Sequence, residues 1–183
     1  MKTLIIHPED DSTNFLNIVY KPILNKTVIK GGTTPIELVN LIQSHDRVMM
    51  MGHGYGYGLL SIEQFPETGF SVIDCRTVPL LKIKQNNVFI WCNSDEFVNY
   101  HELKGFYTGM FISEVEEANS HGLAGSASQS IVDESNKTFC EIMSRHIKED
   151  TGTLYKNVVK EYSPLAQRNS IAAYNHKRLY AKF

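Results

Sequence analysis

The chain has 183 residues, of which 42% are hydrophobic and 21% charged, and its formal net charge is −2. This composition is typical of a globular protein with a sizeable core, and at roughly 150 residues per domain we expect one domain over 1–183. A nearly neutral chain without basic or acidic blocks argues against nucleic acid or a membrane surface as a partner.

Targeting signals and the cysteine pattern exclude further classes of protein. No apolar run reaches the roughly 18 residues of a transmembrane helix, and acidic residues follow the short apolar run Leu4–Ile6 at once, so we expect a cytoplasmic protein. Cys75, Cys92 and Cys140 form no CxxC pair, which argues against a disulfide framework and against a structural zinc site. We therefore predict no metal site.

The first part of the chain alternates apolar runs with helix signals. A helix is predicted over about Thr13–Tyr20 with Ser12 as its cap, and a second helix begins where Thr34, Pro35 and Glu37 form a capping box. Apolar runs predict three buried strands around these helices: Thr3–Ile6, Thr27–Ile29 and Arg47–Met51.

The second part continues the same alternation. We expect a β-hairpin or a pair of short excursions from Leu59–Phe65 and Phe70–Asp74, and a capping box of Ser113 with Glu116 opening a helix. Further strands are predicted at Asn87–Trp91 and Phe106–Ile112, a strand or turn at 122–126, and further helices at Val78–Ile83, Gln129–Ile147 and Leu154–Tyr162. The fold class is therefore α/β, with a mainly parallel, Rossmann-like sheet flanked by helices.

A histidine and a cysteine stand just beyond two of the predicted strands. His53 follows the run Arg47–Met51, in the stretch MGHGYGYG, and Cys92 follows Asn87–Trp91. Ligands of parallel sheets bind beyond the carboxyl ends of the strands, where neighbouring strands lie about 5 Å apart. An imidazole near a thiol can take up its proton and so create a nucleophilic thiolate. The free N–H of Gly54, together with that of Cys92, would then be able to stabilise an oxyanion.

Three stretches carry a resemblance to a known family. A strand ending in His-Gly is followed, 39 positions after the histidine (92 − 53), by a cysteine that closes another apolar strand. The stretches TTPIELVNLIQSHDRVMMMGHG and GLAGSASQSIVDESNKTFCEIM are similar to the segments around the family histidine and to a later strand and helix. The chain resembles, over about 3–148, the caspase-like cysteine peptidases of the caspase–hemoglobinase fold, which include caspases, legumain, gingipain and clostripain.

The resemblance implies a function. In a caspase-like domain, His53 matches the general base, Cys92 the nucleophile, and Gly54 and Cys92 the positions whose amides form the oxyanion hole. The expected reaction is hydrolysis of a peptide or protein substrate through a thioester, without a cofactor. No residue matches the family's specificity pocket, so the preferred side chain stays open.

Other interpretations of the same residues remain open. The family motif glutamine-alanine-cysteine is replaced by Ile90-Trp91-Cys92, and the bulky Trp91 motivates an inactive caspase-like module that binds a partner protein. The glycine loop is compatible with a small-molecule-binding α/β domain. His7 is a rival site residue, with the acids of Glu9–Asp11 binding a cation. Asp95 and Glu96 would orient a positive substrate group or simply begin the next helix.

Overall fold

A mixed sheet of six strands forms the centre of the molecule. The computed structural model describes residues 1–8 and 10–183. The strand order is β2-β1-β3-β7-β8-β9, all neighbours are parallel except the last pair, and three further strands form a separate small sheet. The six strands are β1 (Thr3–Ile6), β2 (Lys26–Ile29), β3 (Arg47–Met51), β7 (Asn87–Ile90), β8 (Gly105–Thr108) and β9 (Leu179–Lys182). The predicted α/β class with a mainly parallel, helix-flanked sheet is confirmed.

Helices cover both faces of this sheet, which explains why β1, β3, β7 and β8 are buried at every position. On one face, Met51 and Ile90 pack with residues of three helices, α1 (Asn17–Tyr20), α6 (Gln129–His146) and α7 (Thr151–Ala166). On the other face, Met50 and Phe89 pack with α2 (Pro35–Gln43), α3 (Val78–Lys82) and α4 (Ser94–Tyr100). No helix in the described ranges combines the length and the apolar character that crossing a membrane requires.

The predicted hairpin is present as part of the small antiparallel sheet. Its strands are β4 (Gly54–Tyr55), β5 (Gly58–Leu60) and β6 (Ser71–Ile73). The predicted strand Leu59–Phe65 ends early because Ile62 and Glu63 have positive φ angles of 42° and 61°, which end the extended backbone.

The predicted helix caps are correct at one capping box and differ from the structure at two other helix starts. Thr34 and Glu37 cap α2 reciprocally, as predicted. The first helical segment is a 3-10 helix (Asp11–Leu16) followed by α1, and its cap is Asp10, which accepts from Ser12 N, rather than Ser12 itself. The capping box predicted for α5 (Val115–Ser120) is wrong by one position, since Glu114 pairs with Glu117.

The predicted elements of the remaining chain are present with different bounds, and two further elements follow at the carboxyl terminus. Residues 122–126 form turns, α6 ends one residue before the predicted boundary, and the predicted strand Phe106–Ile112 is limited to β8. The helix α7 extends well beyond Leu154–Tyr162, because Asp150 accepts from two backbone N–H groups at its start. The last two elements, α8 (Ser170–His176) and β9, were not predicted.

A buried asparagine ties this unpredicted segment to the sheet. The Asn175 side chain in α8 accepts from Ile112 N and donates to Ile112 O, both at 2.8 Å. Asn175 has no exposed surface. It therefore satisfies both backbone groups of a residue that follows β8 and that would otherwise be buried without partners.

We expect Asn175→Ala to lower the free energy of unfolding by at least about 2 kcal/mol, because it leaves both groups of Ile112 unpaired. Urea unfolding followed by circular dichroism measures this. The exposed Asn40→Ala in α2 is the matched control and should change stability by less than about 0.5 kcal/mol. Equal effects of the two substitutions would contradict the structural role of Asn175.

Candidate active site

Strand register places His53 and Cys92 at equivalent positions. In the parallel pair of β3 and β7, Met51 lies opposite Ile90, and Gly52 N donates to Ile90 O at 3.1 Å just beyond the strands. His53 and Cys92 each come two residues after that pair. Because side chains alternate between the faces of a sheet, both residues are directed to the face that carries Met51 and Ile90.

The two side chains line one small cavity. Its volume is about 20 Å³, and its wall also includes Phe15 and Leu16 of the 3-10 helix and Phe111 after β8. Such a volume holds roughly one water molecule. In the described part of the chain no hydrogen bond joins His53 to Cys92, so the structure brings the predicted pair to one cavity without direct contact.

His53 has two partners that the sequence did not reveal. Its Nε2 lies 2.7 Å from Ser12 Oγ and 3.3 Å from Asp10 Oδ1. Ser12 also donates to Asp10 through its hydroxyl and its backbone N–H. The Ser12 hydroxyl, followed by the backbone bond and the charge of His53, lowers the pKa of Asp10 from its ordinary value. An ionised carboxylate therefore lies beside the imidazole.

The Cys92 thiol lies in an acidic and largely enclosed environment. It donates to Phe111 O at 3.5 Å and to Glu117 Oε1 at 3.7 Å. Burial, followed by the charge of the nearby Glu117 carboxylate, raises the pKa of Cys92 to about 12. The resting thiol is therefore protonated at neutral pH.

The backbone around the pair leaves the predicted oxyanion donors available. Leu60 N donates to His53 O, so Gly54 and Leu59 form the non-hydrogen-bonded pair of the β4–β5 ladder, and Gly54 N–H points away from β5. The N–H of Cys92 has no acceptor among the described residues. Both groups thus remain candidates for the oxyanion hole.

Trp91 is accommodated by the glycine loop. Its indole is 2% exposed, packs against Phe89 and Phe97, and donates from Nε1 to Tyr55 O at 3.1 Å. A side chain at Gly54 would collide with Trp91. A side chain at Gly56 would collide with Glu96, and a side chain at Gly58 would collide with Ile73 O. The glycines thus make room for neighbouring protein groups.

The other residues considered from the sequence lie in ordinary positions of the fold. Asp95 and Glu96 stand in the first turn of α4, as the simpler of their two interpretations predicted. Cys75 is exposed and Cys140 is buried within α6. Within residues 1–8 and 10–183, no group of three or more His, Cys, Asp or Glu side chains is arranged to hold a metal ion.

His7, the rival site residue, is a buried structural group. It is 1% exposed, its Nδ1 lies 3.1 Å from Tyr20 Oη, and its Nε2 lies 3.3 Å from Thr13 Oγ1. Burial lowers the pKa of His7 to about 4, so the ring is neutral at pH 7. Of the acids predicted to bind a cation with it, Glu9 lies outside the described residues and Asp10 contacts His53 instead.

Comparison with known proteins finds no family model, no curated protein and no solved structure that matches this chain.

The buried neutral His7 predicts a pH-dependent stability. Its folded-state pKa is depressed, so its contribution is complete above pH 6.5 and is lost as the pH falls from 6.5 towards 4. Between pH 7 and pH 4.5, the free energy of unfolding of wild type should fall by about 2 to 3 kcal/mol more than that of His7→Gln, measured by urea unfolding at both pH values. The free energy of unfolding of the exposed His121→Gln should fall as much as that of wild type. An equal loss in His7→Gln and wild type would refute this assignment.

The Glu117 carboxylate should have a measurable effect on the reactivity of Cys92. In Glu117→Gln the negative charge beside the thiol is gone, so the apparent pKa of Cys92 should fall and its alkylation by iodoacetamide at pH 9 should be roughly threefold faster or more. Rates between pH 8 and pH 11, with peptide mapping, separate a lower pKa from a uniform increase in access. Glu116→Gln, one position away and exposed, is the control and should leave the profile unchanged. A uniform increase at all pH values would contradict the electrostatic explanation.

Proposed function

We propose that the chain is a cysteine endopeptidase of caspase-like type, with Cys92 as nucleophile and His53 as general base. One observation carries the proposal. His53 and Cys92 stand at equivalent positions after two adjacent parallel strands, and both line the same cavity at the carboxyl edge of the sheet. This is the edge at which ligands of such sheets bind.

The reaction follows from the surroundings of the two side chains. Cys92 Sγ attacks the scissile carbonyl carbon as its proton passes to His53, and the carbonyl oxygen becomes an oxyanion that the N–H groups of Gly54 and Cys92 stabilise. His53 returns the proton to the leaving amine as the C–N bond breaks. Water, deprotonated by His53, then hydrolyses the thioester and releases the free thiol and the acid.

The contacts of His53 suggest which ring nitrogen acts. Nε2 lies beside Asp10 and Ser12, and a proton on Nε2 leaves the lone pair of Nδ1 to accept from the thiol. The Asp10 carboxylate then stabilises the imidazolium that forms. Asp10 is a positioning residue in this scheme, because it acts through His53.

The resting site requires a change when substrate arrives. The shared cavity holds about one water molecule, and the thiol is protonated and bonded to Phe111 O and Glu117. A peptide carbonyl must therefore displace side chains of the 3-10 helix, and the thiol must exchange its present acceptors for His53. Catalytic hydrogen bonds commonly tighten only in the substrate complex.

A second candidate function is a catalytically inactive caspase-like module that binds a partner protein. The specific observation in its favour is the thiol of Cys92, which has a carboxylate and a carbonyl as neighbours and a raised pKa. For the small-molecule-binding alternative, the glycine loop offers less support, because protein atoms occupy the space beside Gly54, Gly56 and Gly58.

A panel of peptide acyloxymethyl ketones, carrying Asp, Asn, Arg or Leu at the recognition position, tests the proposal. At least one probe should label Cys92 at pH 7.5 at least tenfold faster than the exposed Cys75, as mapped by mass spectrometry. His53→Ala should slow this labelling about 100-fold, which is the ordinary scale of general acid–base catalysis.

His121→Ala is the matched histidine control and should retain the wild-type rate. If no probe labels Cys92 faster than Cys75, or if His53→Ala reacts as fast as wild type, the peptidase proposal is rejected. The inactive partner-binding module then becomes the better interpretation.

A further inference from the structure

A serine hydroxyl lies directly beside the imidazole of His53. Ser12 Oγ is 2.7 Å from His53 Nε2, which is the distance at which a nucleophile and its general base form a hydrogen bond. The Cys92 thiol, in contrast, donates to Phe111 O and to Glu117, and among the described residues it has no hydrogen bond with His53. In the resting structure the histidine is therefore paired with a hydroxyl group and not with the thiol.

A carboxylate completes this group of side chains. Asp10 Oδ1 accepts from the Ser12 hydroxyl and lies 3.3 Å from the same His53 Nε2. The pKa of Asp10 is lowered, chiefly by the Ser12 hydroxyl, so the carboxylate is ionised at neutral pH. A negative charge beside the ring stabilises the imidazolium that forms when His53 takes up a proton. Proton transfer from Ser12 to His53 thus produces an ion pair with Asp10.

The three side chains are open to solvent. The His53 side chain is 29% exposed, the Asp10 side chain is 33% exposed, and Ser12 is half-buried. Ser12 is also one of the residues that line a cavity of about 510 Å³, together with the apolar Phe15 and Ile18, and this volume is in the range of small-molecule sites. A small molecule therefore reaches this group without the rearrangement that the thiol requires.

The tautomer of His53 determines which nucleophile it can activate. A neutral imidazole has one lone pair that accepts a hydrogen bond. With the proton on Nδ1, the lone pair of Nε2 accepts from Ser12, whereas the proposed peptidase reaction uses the lone pair of Nδ1 for Cys92. The two reactions therefore use opposite tautomers, and activation of Ser12 does not require Cys92.

We infer that Ser12 is a second nucleophile of this chain and that, with His53 as general base, it hydrolyses small carboxylic esters. Ser12 Oγ attacks the ester carbonyl carbon as its proton passes to His53 Nε2, and this proton goes to the departing alkoxide as the C–O bond breaks. Water, deprotonated by His53, then hydrolyses the acyl-serine and restores the hydroxyl. This activity goes beyond the proposed peptidase function and shares only His53 with it.

The position of the carboxylate favours esters over amides as substrates. In Ser-His-Asp triads the aspartate binds Nδ1, the ring nitrogen remote from the serine. Here Asp10 lies at the same nitrogen as Ser12, and within residues 1–8 and 10–183 no group accepts from Nδ1 of His53. The ring is therefore a weaker base than in a triad, which suits an alkoxide leaving group better than an amine. The charges of Asp10 and of the exposed Asp11 disfavour anionic acyl groups.

Labelling of the Cys92→Ala protein with a fluorophosphonate tests the inference. The serine oxygen attacks phosphorus as fluoride leaves, and peptide mapping by mass spectrometry then identifies the modified serine. Ser12 should be the residue that is labelled, and His53→Ala in the same background should slow its labelling about 100-fold. Ser144→Ala, which removes a half-buried serine of α6, is the matched control and should leave the rate at Ser12 unchanged.

Ester hydrolysis gives a second readout. The Cys92→Ala protein should hydrolyse p-nitrophenyl acetate, and adding Ser12→Ala should slow this hydrolysis about tenfold or more. Because Ser12→Ala also removes the contact with Asp10, Ser12→Cys in the Cys92→Ala background is a second variant. Its new thiol, placed beside His53, should be alkylated by iodoacetamide at pH 7 faster than the exposed Cys75.

The inference is overturned if Ser12 carries no phosphonyl group, if labelling is as fast without His53, or if the thiol of Ser12→Cys reacts no faster than Cys75. These outcomes are distinct from failure of the proposed function. If Ser12 is labelled while no ketone probe labels Cys92, the chain is an esterase without peptidase activity. If a ketone probe labels Cys92 in a His53-dependent way while Ser12 stays unlabelled, the peptidase proposal stands and Ser12 only positions His53.

Discussion

The in-register parallel pairing of β3 with β7 is the constraint on which the candidate site depends. Each strand is buried over its whole length because helices cover both faces, and a slip of one residue would move every side chain to the wrong face. The register that buries Met51 beside Ile90 therefore also fixes the side on which His53 and Cys92 emerge. Core packing and site geometry are set by the same pairing.

The state of the candidate site also depends on the Glu117 carboxylate, which contacts both the start of α5 and the Cys92 thiol. Glu117 Oε2 accepts from Ser113 N at 2.7 Å and from Glu114 N at 3.2 Å, which closes the first turn of α5. Its other oxygen accepts from Cys92. Because the carboxylate is held by backbone donors, it cannot leave the thiol unless the start of α5 also rearranges. The protonated state of Cys92 is thus linked to the conformation of residues 113–117.

Sequence patterns predicted the features that depend on local periodicity. The apolar runs identified the core strands, and Thr34 with Glu37 located the start of α2, because each signal lies within a few residues. The ends of two strands placed His53 and Cys92 at one sheet edge. The partners of these side chains could not be found in the same way. The sequence predicts a helix cap at Ser12 and a cation-binding acid at Asp10, and only the order β1-β3-β7 shows that the turn after β1 lies over His53.

The unpredicted features share one cause, which is that they depend on contacts between distant parts of the chain. Asn175 looks like an ordinary polar helix residue until α8 brings it to Ile112, 63 positions away in sequence. A cavity of about 510 Å³ is likewise lined by acids from the 3-10 helix, α6 and the residues around the start of α5, and no short stretch of sequence contains them together. Single-sequence patterns carry little information about such long-range combinations.

The turn after β1 joins these parts into one structural unit. Asp10 and Ser12 contact His53, and Thr13 contacts the buried ring of His7 below the turn. Burial, followed by the charge of Lys30, lowers the pKa of His7 to about 4, and a charged ring at this position would have to be hydrated. Because Asp10, Ser12 and Thr13 stand in one turn, the packing of His7 and the position of His53 depend on the same segment. The turn thus contacts two histidines, of which only His53 takes part in the proposed chemistry.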